Sequence, residues 1–186
     1  MRRLLTGAAM TGLMLSCLAA APAFAALKTG DKAPEFTAQA SMGGKVFTFS
    51  MKDALKKGPV VLYFYPAAFT PGCTLEAHEF ADAMDDFKKL HATVIGVSRD
   101  DIDKLNKFSV SECRSKFPVA ADTDGKITQS YDVVLIPPWN PKGPTIANRT
   151  SYVISKGGKV AYEYTSLDPA KHVENTMGAV KSLDAR

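Results

Sequence analysis

The sequence predicts an α/β domain built around a core of parallel strands, and three observations predict it. Two continuous apolar runs, residues 59–65 and 92–98, are rich in β-branched and aromatic side chains, as strands buried on both faces require. An amphipathic stretch over 71–90 separates them, which makes a β-α-β unit. A hairpin pattern and a second amphipathic stretch then close the chain. Composition agrees: 186 residues at 46% hydrophobic and 23% charged suit one globular domain and exclude a disordered or collagenous chain.

Taken in order, the chain opens on an address. Met1-Arg2-Arg3 is basic, residues 4–21 are mostly apolar, and Ala23-Phe24-Ala25 is a small-x-small site. This is the pattern of a secretory signal peptide cleaved after Ala25, leaving a single domain over 26–186. The small, glycine-dotted core argues against a retained membrane span. The Arg2-Arg3 pair lacks the neighbours of a twin-arginine signal, and Met14-Leu15-Ser16-Cys17 matches a lipoprotein box only loosely. Export to a bacterial periplasm or beyond is the expectation, an oxidising space where two cysteines can pair.

The Gly43-Gly44 turn precedes a short β-prone run over 46–49. After the first buried strand and its helix come the second buried strand and a helix over 101–116, closed by Phe117-Pro118. A turn at Asp122-Thr123-Asp124-Gly125 leads to a short helix ending near Tyr131. Four prolines between 135 and 144 predict a stiff irregular loop, in which Trp139 covers the core. Residues 150–154, the turn Lys156-Gly157-Gly158 and residues 159–164 read as a hairpin, and 167–183 as the closing helix.

Charge and cysteine content narrow the function. A net charge of +4, reduced to +2 without the two arginines of the first 25 residues, does not predict nucleic acid or anionic membrane as a partner. Three cysteines make no disulfide-dense scaffold. Neither a CxxC pair nor a zinc-spaced cluster appears, so no metal or cofactor is expected.

The chemistry concentrates where the first buried strand meets its helix. Thr70 followed by Pro71 marks a helix start, a capping hydroxyl and then proline at the first helical position. Cys73 is then the third residue, facing unpaired amide N–H groups and the positive end of the helix dipole, which favour thiolate and should lower its pKa. At about 100° per residue, Ala77, Phe80, Met84 and Phe87 share its face, so the sulfur also points inward, where burial opposes ionisation. From geometry alone Cys73 is either an inert core thiol or a nucleophile. His78, about 140° away around the axis, is read as a solvated surface side chain, and so are His91 and His172. Glu76 either orients a cation or offsets the helix dipole.

Residues 66–73, Pro66-Ala67-Ala68-Phe69-Thr70-Pro71-Gly72-Cys73, fit the P-x-x-x-T-x-x-C signature of peroxiredoxins, and their flanks resemble the Q-type, bacterioferritin comigratory protein-like branch of the AhpC/TSA family. Gly30-Asp31-Lys32-Ala33-Pro34-Glu35-Phe36 resembles the family's opening, and Arg149-Thr150-Ser151-Tyr152-Val153-Ile154 its arginine-bearing strand. The resemblance implies a thioredoxin-like fold, a central mixed β-sheet flanked by helices, and thiol-dependent reduction of hydrogen peroxide or organic hydroperoxides. Cys73 matches the peroxidatic cysteine, Thr70 and Pro66 the motif positions, and Arg149 the active-site arginine. Some Q-type members carry a second cysteine five residues after the first, where this chain has His78; others carry it on the next helix, where Cys113 lies. The resemblance thus implies that Cys113 resolves the oxidised Cys73 as an intramolecular disulfide, with a one-cysteine mechanism as the fallback. The implied partners are a hydroperoxide and a thioredoxin-like or other dithiol reductant, with no nucleic acid and no stable membrane association after cleavage, and the enzyme is expected as a monomer or weak dimer.

Two rivals differ in their needs. An exported thioredoxin-like disulfide oxidoreductase needs a CxxC, which Cys73-Thr74-Leu75-Glu76 does not supply. A metal- or client-binding module on the same fold needs a second soft ligand near Cys73, and none is evident.

Overall fold

A computed structural model describes residues 26–185; the expected signal peptide lies outside them. The elements run β1 (Thr37–Met42), β2 (Lys45–Ser50), α1 (Met51–Lys57), β3 (Val60–Phe64), α2 (Pro71–Lys89), β4 (Thr93–Ser98), α3 (Ile102–Ser111) and β5 (Val119–Ala121). The second half adds α4 (Lys126–Ser130), β6 (Val134–Leu135), β7 (Ile146–Ala147), β8 (Thr150–Ile154), β9 (Val160–Thr165) and α5 (His172–Asp184).

Seven strands form one mixed sheet in the order β2-β1-β5-β4-β3-β8-β9. Its centre is parallel, β3 with β4 and β4 with β5, and both flanks are antiparallel. The expected β-α-β unit is β3-α2-β4, and the expected hairpin is β8-β9. Alternation along β3 shows why its sequence is apolar throughout. Val60, Leu62 and Phe64 join the core under α1 and α4, while Val61 and Tyr63 join the core under α2, α3 and α5. In β4, Gly96 is required by close approach: a Cβ there would meet the Tyr63 ring at 2.7 Å.

Several expectations need correction. The helix expected over 101–116 ends at Ser111, because Arg114 and Ser115 adopt left-handed φ of 47° and 57° and the Ser115 N–H bonds back to the Ser109 carbonyl. Cys113 therefore lies in a turn rather than on a helix. The closing helix begins at His172, not 167. Residues 166–171 instead form a strap: the Ser166 N–H donates to the Arg149 carbonyl, and the Leu167 carbonyl accepts from Arg149 Nε at 3.0 Å. Trp139 does not cover the core, since it is 71% exposed. The 135–144 loop is framed by the small β6-β7 pair.

β1, α1 and β5 were not expected from sequence. β1 is polar and small (TAQASM), β5 has only three residues, and α1 is seven residues long, too short to display a helical period. The signal for α1 is Ser50, whose hydroxyl accepts from the Asp53 N–H.

Candidate active site

The site forms where β3, β8 and α2 converge. β3 ends at Phe64, and Tyr65 still donates its N–H to the Val97 carbonyl, so the chain leaves the sheet at Pro66. The loop over 66–70 is pinned by Asp100, whose Oδ2 accepts from the Ala68 N–H at 2.7 Å and from the Ser98 hydroxyl at 2.9 Å. Phe69 is forced to a φ of 67°, uncommon for an aromatic residue, and rests edge-on against Phe108. Thr70 then starts α2 with extended backbone and Pro71 behind it.

Thr70 sits at the expected capping position, but its hydroxyl does not cap. It donates back to the Ala67 carbonyl at 2.9 Å, leaving its oxygen lone pairs free on an exposed residue. The first-turn N–H groups near Cys73 consequently have no side-chain cap competing for them. Pro66 is half-buried beside the loop.

Cys73 is 1% exposed, and Arg149 reaches it. Because β8 runs antiparallel to β3 with Thr150 opposite Phe64, the residue before β8 falls beside the start of α2. Arg149 Nη2 donates to Cys73 Sγ at 3.4 Å. Gly72 makes room for it, since a Cβ there would stand 3.1 Å from that nitrogen. Arg149 Nη1 donates to Glu76 Oε2, and Nε to the Leu167 carbonyl. Burial works against the guanidinium charge, but Glu76 and Cys73 outweigh it and raise its pKa. Burial pushes the Glu76 carboxyl up to about 8, against the pull of Arg149. Of its two expected readings, Glu76 is therefore a buried partner of Arg149 and not an exposed dipole counter-charge.

His172 departs most from expectation. It is fully buried, with Nδ1 2.8 Å from the Ser151 hydroxyl and 3.6 Å from Glu76 Oε1, and Nε2 3.0 Å from the Ser166 carbonyl. Burial lowers its pKa to about 4. Periodicity within α5 could not reveal this, because its partners come from α2, β8 and the strap. His78 is also not free on the surface: Nε2 lies 2.9 Å from Glu112 Oε2. His91 is exposed as expected.

Cys113 occupies the same core as Cys73, with Tyr63, Phe108 and Phe117, and is fully buried. Both cysteines are free thiols. Burial, with a smaller contribution from Glu112, pushes the Cys113 thiol well up. Among the described residues, no group of three or more His, Cys, Asp or Glu side chains is placed to hold a metal ion.

A family model for AhpC/TSA proteins matches residues 29–163, most of the chain. The chain belongs to the AhpC/TSA family. It is 36% identical over 161 residues to the chloroplastic peroxiredoxin Q of Populus jackii, covering 86% of this chain and 71% of that one. It is 29% identical over 160 residues to peroxiredoxin Bcp of Bacillus subtilis, covering 86% and 99%. Among solved structures, the peroxidoxin BcpB of Mycobacterium tuberculosis superposes with a TM-score of 0.75 at 30% identity, covering 84% of this chain and 98% of that one. The protein is accordingly a peroxiredoxin on a thioredoxin-like fold, a thiol-dependent peroxidase of the Q and Bcp kind. As a peroxiredoxin it takes peroxide as its oxidant.

Proposed function

We propose that Cys73 is the thiol that meets the peroxide and that Cys113 resolves it. The single observation carrying the first half is the Arg149 Nη2–Cys73 Sγ contact of 3.4 Å at an uncapped helix start. A permanent guanidinium charge and the helix N–H groups both favour thiolate over thiol. The thiolate attacks one peroxide oxygen, the O–O bond breaks, and Cys73 becomes sulfenic acid while the second oxygen leaves as water or an alcohol after taking a proton. Arg149 and the first-turn N–H groups stabilise the charge on the leaving oxygen. The Thr70 hydroxyl, with free lone pairs, accepts a hydrogen bond from the peroxide O–H and orients it, and Pro66 shields the thiolate from water.

In the second half the Cys113 sulfur attacks the Cys73 sulfenic acid, releasing water and forming a disulfide. A disulfide requires Cα atoms within about 7 Å, and both cysteines are buried in packed structure, so the first turn of α2 and the turn at 112–116 unwind locally during turnover. A thioredoxin-like dithiol then reduces the disulfide. Residues 1–25 act as a signal peptide cleaved after Ala25, and the enzyme works in the periplasm or outside the cell as a monomer or weak dimer.

Intact mass analysis after one equivalent of peroxide tests the chemistry. Loss of two hydrogens supports the Cys73–Cys113 disulfide, whereas gain of one oxygen at Cys73 supports a one-cysteine cycle and removes Cys113 from the mechanism. The mass of the exported protein tests cleavage after Ala25.

A further inference from the structure

Behind Arg149 lies a buried pair that the peroxide chemistry above does not use. Glu76 and His172 are both fully buried. One carboxylate oxygen of Glu76, Oε2, accepts from Arg149 Nη1, but the other, Oε1, has no hydrogen-bond partner. What faces it is His172 Nδ1, at 3.6 Å.

The ring's protonation follows from its other contacts. Nε2 lies 3.0 Å from the Ser166 carbonyl, which can only accept, so Nε2 carries a hydrogen. In the neutral ring Nδ1 is then a bare acceptor. Two acceptors thus face each other in the core, and the one nearby donor, the Ser151 hydroxyl at 2.8 Å from Nδ1, has a single hydrogen and cannot serve both. An orphaned carboxylate oxygen in a buried site is costly. One added proton removes the conflict, whether it sits on Glu76 and is donated to Nδ1 or sits on Nδ1 and is donated to Glu76.

We propose that Glu76 and His172 share one exchangeable proton, and that His172 is thereby a positioning residue for peroxide reduction, acting through Glu76 and Arg149. With the proton in place the pair is neutral overall, and the Arg149 charge is directed at the Cys73 sulfur. Once it is lost, the pair is a net anion against Nη1, and the guanidinium is divided between two negative groups. Cys73 then loses part of its cation, and the leaving oxygen part of its stabilisation.

The charged and titratable groups around the pair are consistent with this assignment. Arg149 faces Glu76 from the start of β8, Cys73 and Glu79 lie with it on α2, and Tyr63 faces it from β3. His172 meets the Tyr164 ring from β9 at a centroid distance of 4.8 Å, with Asp168 on the strap and Arg149 nearby. Arg149 is the single cation in this group, so the state of the pair decides how that charge is shared. Burial raises Glu76 to about 8, which sets where the proton leaves as pH rises.

The inference rests on Cys73 as the peroxide-reacting thiol, which mass mapping of the oxidised residue checks separately from the pH dependence. The test measures the second-order rate of Cys73 oxidation by hydrogen peroxide in the reduced protein, from about pH 6 to about pH 9.5. The wild type is expected to lose rate by about ten-fold above pH ~8, even though thiolate content cannot fall there. Glu76→Gln, which is neutral at every pH, should abolish that descending limb; His172→Gln, which keeps a donor for Ser166 but takes no proton, should move it to lower pH or leave the rate low throughout. A wild-type rate that does not decline, or a decline unchanged in Glu76→Gln, overturns the proposal. Nitrogen NMR of the His172 ring in the unmutated protein decides the matter if either variant fails to fold. The Nδ1 resonance should shift with the rate as the proton between it and Glu76 is lost, and an Nδ1 resonance that stays constant across the range overturns it.

Discussion

The two cysteines of the folded domain share one hydrophobic core, yet their surroundings are opposite. Cys73 begins a helix, faces first-turn amides and touches a guanidinium. Cys113 follows a helix end and lies among aromatic rings, where burial first and the Glu112 charge second push its thiol up. Both are buried to within 1%. Burial by itself therefore distinguishes nothing; what differs is whether a cation and unpaired N–H groups accompany it. The contrast suits a division of labour in which one sulfur is held ready and the other is stored as an unreactive thiol until local unwinding exposes it.

The largest effect that could break this comparison is loss of the reactive sulfur. Cys73→Ser should reduce peroxidase turnover by at least about 10³-fold, since among the described residues Cys73 is the thiol that Arg149 contacts. Activity that survived and depended on Cys113 would reverse the assignment of roles. Next in size, Arg149→Met should slow Cys73 oxidation by about 10²–10³-fold, as the loss of one oriented donor to a developing charge does. Arg149→Lys should recover little of it, because one ammonium cannot reach Sγ, Glu76 and the Leu167 carbonyl at once. A stopped-flow rate within about two-fold of wild type would show that the helix N–H groups suffice.

How much of this was legible in the sequence follows the range of the interactions. The Thr70-Pro71 start, the inward face of α2 and the two buried parallel strands are local patterns, and all are present. Arg149 could be named only through the family motif, because its approach to Cys73 depends on the register of β8 against β3. His172 was misread as solvated because nothing within α5 discloses a partner on α2. The Cys113 helix was extended too far because two left-handed residues, Arg114 and Ser115, carry side chains that usually avoid that conformation. Local rules thus place Cys73 at the start of α2 on its inward face, while the groups that surround it are set by tertiary contact.

A third prediction sharpens the contrast at Cys113. Cys113→Ser should leave the first oxidation of Cys73 unchanged and lower multiple turnover with a thioredoxin-like donor by about ten-fold or more, with sulfenic acid accumulating. Equal turnover would favour direct reduction of Cys73 by the outside thiol.

The smallest effect concerns what holds Cys113 in place. Two side-chain contacts tie its turn to α2, one on each side of it: a hydrogen bond between His78 Nε2 and Glu112 Oε2 at 2.9 Å and an ion pair between Arg114 Nη1 and Asp82 Oδ1 at 2.5 Å. His78 and Asp82 are one helical turn apart, so the pairs act as two clasps on one face. The backbone is strained at Arg114 and the adjoining Ser115, which favours release once the clasps open. An exposed ion pair such as Asp82–Arg114 contributes about 0.2–1 kcal/mol, and a single side-chain hydrogen bond is of similar size. Asp82→Asn and Glu112→Gln should therefore each accelerate disulfide formation after a peroxide pulse by about 1.5- to 5-fold, without altering the first oxidation of Cys73. High salt should mimic Asp82→Asn, because it screens exposed charges. Disulfide formation insensitive to both variants and to salt would place the barrier in the first turn of α2 instead, where Cys73 itself must leave Arg149.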